Sequence, residues 1–145
     1  MNRRLGLAVL AGAICSPAFA QDNHAGHEHA AHAGGAIPHQ RIIASAADCV
    51  RTGELCLTHC LEVLATGDTS LAGCARSVDQ LVAVCAALQK LAASASPHLP
   101  ALARVAIPIC EDCERECRRH AEHHATCRDC AEACQACAEE CRKLA

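Results

Sequence analysis

Apolar residues and cysteines recur every three or four positions from about residue 41 to the C-terminus, and charged residues fill many of the positions between them. A repeat of this period places the apolar side chains on one face of an α-helix. Breaks at Gly67, at Ser96–Pro100 and near Thr126 divide the pattern. The pattern therefore predicts four helices of about 20–25 residues each.

The ends of these helices are predicted from residues that cap or stop a helix. The first is expected from about Arg41 to Ala65, with Gly67 as its C-terminal stop, and residues 68–70 are candidate caps for the second. The second ends near Ala93. The third runs to about 123 or 124, and Pro108 inside it is expected to kink it or split off a short first segment. Thr126 is the candidate cap of the fourth, which reaches the C-terminus.

Four helices of similar length with short connections predict an all-α fold, an antiparallel four-helix bundle. The domain organisation expected is a signal peptide over residues 1–20, a flexible His-rich tail over 21–40 and the bundle over 41–145. Because the chain after residue 20 contains no Phe, Tyr or Trp, aromatic packing does not hold this core together.

Cysteines occupy the positions where such helices normally carry leucine. In the fourth helix, five cysteines at steps of three and four fall within an arc of about 80°. The first three helices carry similar stripes, so the bundle is predicted to have a cysteine-lined core. The thirteen candidate metal ligands are Cys49, Cys56, Cys60, Cys74, Cys85, Cys110, Cys113, Cys117, Cys127, Cys130, Cys134, Cys137 and Cys141.

Soft thiolates in this number indicate metal binding, with Cu(I), zinc and iron–sulfur clusters as the candidates. Zinc and iron–sulfur sites need four ligands each, and a continuous ladder does not divide naturally into closed sets of four. Cu(I) is satisfied by two thiolates, and a thiolate can bridge two ions, so multiple Cu(I) ions, about one per cysteine, form a neutral buried array. The alternatives that stay open are a thiol/disulfide redox protein and a zinc or iron–sulfur protein.

The N-terminus has the pattern of an export signal. Arg3 and Arg4 precede an apolar run, and Ala18-Phe19-Ala20 is a small-x-small cleavage site. We therefore expect an exported, periplasmic or otherwise extracytoplasmic protein, and the paired arginines suggest the twin-arginine route. Removing residues 1–20 leaves 11 Lys and Arg against 16 Asp and Glu, a net charge of −5. This charge argues against a nucleic-acid partner, and no membrane association is expected.

From residue 41 to the C-terminus, the thirteen cysteines give the chain a resemblance to the four-helix-bundle copper storage proteins, and the signal places it with their exported branch. The resemblance implies a non-enzymatic store of Cu(I) that serves copper supply or detoxification. It also implies assembly as a homo-oligomer, commonly a tetramer, and copper exchange with donor or acceptor proteins. The chain departs from exported relatives in having no methionine after Met1.

Histidines are the remaining candidate ligands. If copper enters where the first helix starts and the fourth ends, His39 is the candidate ligand there, and His120 and His124 lie at the opposite end. His59, beside Cys60, is expected to be a partly exposed residue outside any site.

Overall fold

The computed structural model describes residues 37–145. They form four helices: α1 (Gln40–Ala65), α2 (Ala72–Ala93), α3 (Leu99–Arg118) and α4 (Ala125–Arg142). The expectations for residues 1–36, which include the signal peptide and most of the His-rich tail, lie outside the described residues. None of the four helices is long and apolar enough to cross a bilayer.

The helices form a square, because α1 packs against α2 and α4, and α3 packs against the same two helices. Cys56 in the C-terminal half of α1 lies beside Cys74 and Cys127, which are in the first turns of α2 and α4. Cys117, at the end of α3, also lies beside Cys74. Each helix therefore runs antiparallel to both of its neighbours. The predicted antiparallel four-helix bundle is confirmed.

Close approach of α1 and α2 depends on a glycine inside α1. A Cβ at Gly53 would lie 2.7 Å from Val82 Cγ2 of α2, closer than carbon atoms pack. The missing side chain lets the two helices come together beside the Cys56–Cys74 pair. In contrast, Gly67 serves the turn after α1 with a left-handed φ of 89°, as predicted for a helix stop.

Pro108 neither splits nor ends α3, which runs continuously through it. The proline is exposed, so the ring lies on the outer side of the helix and the carbonyl that loses its partner can bond to water. The prediction that Pro108 splits off a short first segment is therefore wrong. Pro100 sits in the first turn of α3, where a missing N–H costs nothing.

The predicted caps and one predicted helix end are wrong. The N-cap of α2 is Leu71, and Asp68 Oδ1 instead accepts a bond from the backbone N–H of Ser70 at 2.9 Å inside the connection. α3 ends at Arg118, because the chain then turns through bonds such as His120 N to Cys117 O at 3.0 Å. His124 is the N-cap of α4, and the Thr126 hydroxyl is buried without a partner among the described residues.

The two ends of the bundle differ in chemistry. One end, where α1 and α3 begin and α2 and α4 finish, is filled by Ile42, Leu88 and Leu99, each at most 2% exposed. We call it the apolar end. The other end carries His59, His120 and His124 and is called the histidine end. The thiols fill the space between the apolar end and the histidine end.

Candidate metal centre

All thirteen cysteines of the four helices are fully buried and free. Their spacings of three, four, seven and eleven residues are helical repeats, so each helix turns its thiols towards the bundle axis. The predicted cysteine-lined core is confirmed. The surrounding charged residues lie outside, in ion pairs such as Arg142–Glu111 at 2.5 Å between α4 and α3.

Four thiols from three helices form the group nearest the histidine end, which we call the four-thiol group: Cys56, Cys60, Cys74 and Cys127. Their sulfurs all lie within 4.8 Å of one another. Cys56 and Cys74 are 3.8 Å apart, Cys56 and Cys127 3.7 Å, and Cys74 and Cys127 3.8 Å. The group therefore joins α1, α2 and α4 through sulfur contacts.

The array of thiols continues from this group towards the apolar end. Cys74 contacts Cys117 at 3.4 Å, and Cys117 contacts Cys113 at 3.9 Å. Two further sets of three mutually close sulfurs share Cys130: Cys56, Cys117 and Cys130, and Cys113, Cys130 and Cys134. Shared members such as Cys130 give a metal ion a path from one set to the next.

A second section of thiols lies closer to the apolar end. Cys49, Cys85 and Cys137 form a set of three, with Cys85 and Cys137 4.0 Å apart. Cys110 interacts with all three, and Cys141 interacts with Cys137. The Cys49 thiol donates to the backbone carbonyl of Ala133 at 3.2 Å, which fixes its orientation towards α4.

Burial and mutual hydrogen bonding decide the protonation of these thiols. Desolvation, followed by the charges of neighbouring cysteines, raises the pKa of Cys60. The Cys117 hydrogen bond lowers the pKa of Cys56, but bonds to Cys127 and Cys130 and burial outweigh it and raise this pKa to about 12. Copper must therefore displace protons from these thiols when it binds.

Two thiols of α4 behave oppositely. Hydrogen bonds from four surrounding cysteines lower the pKa of Cys130, with Cys113 contributing most. Four other cysteines, Cys110 first, lower the pKa of Cys137 in the same way. Cys130 and Cys137 therefore each interact with four other cysteines.

Three histidines from two parts of the chain lie together at the histidine end, where the backbone carbonyl of His124 accepts a hydrogen bond from Cys127 N–H at 3.1 Å. His59 Nε2 and His124 Nδ1 are 2.8 Å apart, a hydrogen bond between rings, and the His120 ring centre lies 6.4 Å from that of His124. Desolvation, followed by the charges of His59 and His120, lowers the pKa of His124. His124 therefore favours the neutral imidazole, the form that binds metal.

Sequence reasoning placed His120 and His124 at the end opposite His39, which is confirmed. It did not place His59 with them. His59 is half-buried, as expected, yet it faces His124 rather than solvent alone. In the sequence, the one indication was that His59 directly precedes Cys60, the last cysteine of the first helix. Its partner is 65 residues away, so no spacing rule identified the pair.

His39 lies at the apolar end, as the N-cap of α1 with a left-handed φ of 59°. It lines an open cavity of about 320 Å³ with Ile37, Gln40, Arg41, Ile42, Glu140, Lys143 and Leu144. None of the described residues that line this cavity is a cysteine. The structure therefore brings His39 to the surface beside the end of α4 and not to a thiol.

This arrangement suits soft-metal binding better than disulfide chemistry. A redox pair needs an exposed thiolate of low pKa and a resolving partner, but each of the thirteen cysteines in residues 37–145 is fully buried. A set of mutually close sulfurs without solvent instead suits Cu(I), which thiolates bind strongly.

Comparison with known proteins gives the same chemistry. The family model for copper storage proteins matches residues 35–145. A cysteine-rich protein of Bacillus subtilis, YhjQ, is 35% identical over 106 residues, which cover 73% of this chain and 94% of that protein. The Cu(I)-bound copper storage protein BsCsp3 superposes with a TM-score of 0.64 at 34% identity, covering 72% of this chain and 94% of its own.

A copper storage protein of Streptomyces lividans, solved with five coppers and described as cytosolic, has a TM-score of 0.67 at 29% identity. The match covers 73% of this chain and 90% of that one. The same organism's protein has also been solved with ten copper equivalents.

The predicted export to the periplasm is wrong, because the Streptomyces lividans relative is described as cytosolic. The segment 1–20 that carried this prediction lies outside the described residues, so the structure gives no support to a signal peptide. An arginine pair before a short apolar run was too weak a pattern to establish a compartment.

Proposed function

Since the chain belongs to the copper storage protein family, we propose that all thirteen buried cysteines are Cu(I) ligands and that the bundle stores about one copper per cysteine. Storage of multiple Cu(I) ions by thiolates inside the helical bundle is the function of this protein. The observation that carries the ligand assignment is the complete burial of every one of the thirteen thiols. The role proposed is storage rather than catalysis.

Charge balance supports this stoichiometry. Thirteen thiolates and thirteen Cu(I) ions sum to zero, and a buried net charge is costly whereas a paired array is tolerated. Each thiol lies near several others, so a sulfur can bridge two ions without large movements. The apo core consists mainly of neutral thiols, so loading exchanges one proton for one copper at each of them.

Copper is proposed to enter at the histidine end. Ile42, Leu88 and Leu99 fill the apolar end and offer no ligand. At the histidine end, His59 and His124 form a hydrogen-bonded imidazole pair, and the pKa of His124 is lowered. An imidazole can hold a copper ion briefly and pass it to a thiolate, since it is a weaker ligand for Cu(I).

A comparison of variants tests both candidate entrances. The His59→Ala/His124→Ala double variant should take up Cu(I) more slowly at an unchanged final capacity. His39→Ala, at the other end, tests the sequence-based alternative under the same conditions. Slower uptake by the His39 variant alone would reverse the direction proposed here.

The central experiment is an anaerobic titration of the reduced protein with Cu(I) against a competing chelator. Uptake should approach thirteen coppers per chain, and replacing any one of the thirteen cysteines with Ser should lower it by about one. Saturation at three or four ions would remove the proposal that all thiols are ligands.

We further propose that the bundle, residues 41–145, assembles into a homo-oligomer, with a tetramer suggested by resemblance. Leu55, Leu61 and Val105 are each more than half exposed, at 55%, 56% and 52%, and burial between chains would stabilise them. Donor and acceptor proteins would then exchange copper at the histidine end. Sedimentation of the wild type and of Leu61→Glu tests the assembly, and a monomeric wild type would contradict it.

A further inference from the structure

The four-thiol group has the dimensions of a site for a divalent metal ion. Three of its sulfurs form a nearly equilateral triangle, with sides of 3.8, 3.7 and 3.8 Å. In a tetrahedral zinc site with Zn–S distances of about 2.3 Å, neighbouring sulfurs are about 3.8 Å apart. Cys56, Cys74 and Cys127 therefore already occupy three corners of such a tetrahedron.

Cys60 completes the set. Its sulfur lies within 4.8 Å of the other three, so it has to close a gap of at most about 1 Å to reach the spacing of a zinc tetrahedron. The other sets of mutually close ligands among residues 37–145 contain three thiols each. This group is thus the one described place where four-coordination is available without movement of a helix.

Two of these four thiols lie in the first turn of a helix. Cys74 is the third residue of α2 and Cys127 is the third residue of α4. The first turn of a helix carries a partial positive charge of about half a unit, which attracts the negative charge of a metal–thiolate site. Cys60 is five residues before the end of α1. The partial negative charge of a helix C-terminus is confined to the last turn, so it does not act strongly on Cys60.

This placement matters for a buried divalent ion. Four thiolates and one Zn²⁺ leave a charge of −2, which is costly away from water. Two helix N-termini offset about one unit of it. The thiols of the second section, such as Cys49 and Cys85, lie in the middle of their helices and have no such support.

We propose that Cys56, Cys60, Cys74 and Cys127 bind one Zn²⁺ per chain in the copper-free protein. This function goes beyond copper storage and rests on the four-coordinate geometry of one group rather than on the whole array. The ion replaces up to four thiol protons on binding. Incoming Cu(I) displaces it, because thiolates prefer the softer ion and several coppers share these sulfurs. The first coppers loaded therefore release one zinc per chain.

The test is an anaerobic titration of the reduced, full-length protein with Zn²⁺ against a chromophoric chelator. We expect one tight equivalent per chain. Co²⁺ in place of zinc should give the visible bands of a tetrahedral thiolate site. Losing a residue that merely supports a ligand costs about 10–100-fold in metal affinity, so Cys74→Ser should cost more than about 100-fold.

Cys85→Ser is the matched control, because Cys85 lies on the same helix and is equally buried. It should leave zinc affinity unchanged, whereas both variants should lose about one copper. Circular dichroism checks the fold, and Cys60→Ser replaces Cys74→Ser if the latter unfolds.

Three results would overturn the proposal: the absence of a tight equivalent, an equal loss of zinc affinity in Cys85→Ser, or a Co²⁺ spectrum without tetrahedral thiolate bands. If zinc binding fails while copper uptake still approaches thirteen, copper storage stands without the zinc site. If copper uptake stops at a few ions while one zinc binds tightly, storage fails and the zinc site stands.

Discussion

Replacing Gly53 with Ala should destabilise the copper-free bundle by about 1 kcal/mol, because the cost of overpacking exceeds the gain in helix propensity. Alanine favours a helix over glycine by about 0.8–1.0 kcal/mol. The added methyl group would lie 2.7 Å from Val82 Cγ2, and overpacking of this kind costs about 1–3 kcal/mol. Val82 is β-branched and held in one rotamer on its helix, so it cannot turn away.

Gly73→Ala is the matched control for this prediction. A Cβ at Gly73 would lie 2.5 Å from Glu116 Oε1, the tip of a long side chain that can move at little cost. The ion pair of Glu116 with Arg119 is largely exposed on the arginine side and contributes less than about 1 kcal/mol. The Gly73 variant should therefore be as stable as the wild type, or more stable by less than about 1 kcal/mol.

Urea denaturation of the reduced apo proteins, followed by circular dichroism, measures both variants. A double variant, Gly53→Ala/Val82→Ala, removes the clash and should show coupling of at least about 0.5 kcal/mol. If Gly53→Ala proves as stable as Gly73→Ala, the close approach of α1 and α2 at this position is refuted.

Three further predictions concern the core, its protonation and its surface. Leu81→Ala removes a fully buried side chain and should cost about 2–5 kcal/mol in the same urea assay; a cost below about 1 kcal/mol would mean that Leu81 is not in the core. Hydrogen bonds from neighbouring thiols, together with burial, raise the pKa of Cys56 and Cys127 to about 12 from 9.0. The folded apo state therefore holds protons that the unfolded chain loses, and apo stability should fall as pH rises from about 9 towards 12. The lowered pKa values of Cys130 and Cys137 affect stability only below about pH 9, because above it these thiols are deprotonated in the unfolded chain as well. A urea midpoint that stays constant from about pH 9 to 12 would therefore contradict the prediction. Arg142→Ala breaks an exposed pair with Glu111 between α4 and α3 and should cost less than about 1 kcal/mol; a larger loss would indicate a network beyond this pair.

Sequence alone determined the four helices, their antiparallel order and the inward direction of the thirteen thiols. The reason is that the spacing of cysteines and apolar residues fixes a helix face, and short connections leave few topologies. The end of α1 near Gly67 was also predictable, because a glycine with a left-handed φ ends a helix locally. Caps were not, because Asp68 Oδ1 accepts its hydrogen bond within the connection, and α2 and α4 begin after Leu71 and His124, which make no side-chain cap bond.

Only the tertiary structure decided which thiols meet. The four-thiol group joins residues up to 71 positions apart, and its spacing depends on how closely α1 approaches α2 at Gly53. The pairing of His59 with His124 across 65 residues and the apolar filling of the opposite end are likewise products of packing. A helical period determines which side of a helix faces the core, but the distance between two sulfurs on different helices depends on the rotation, offset and separation of those helices.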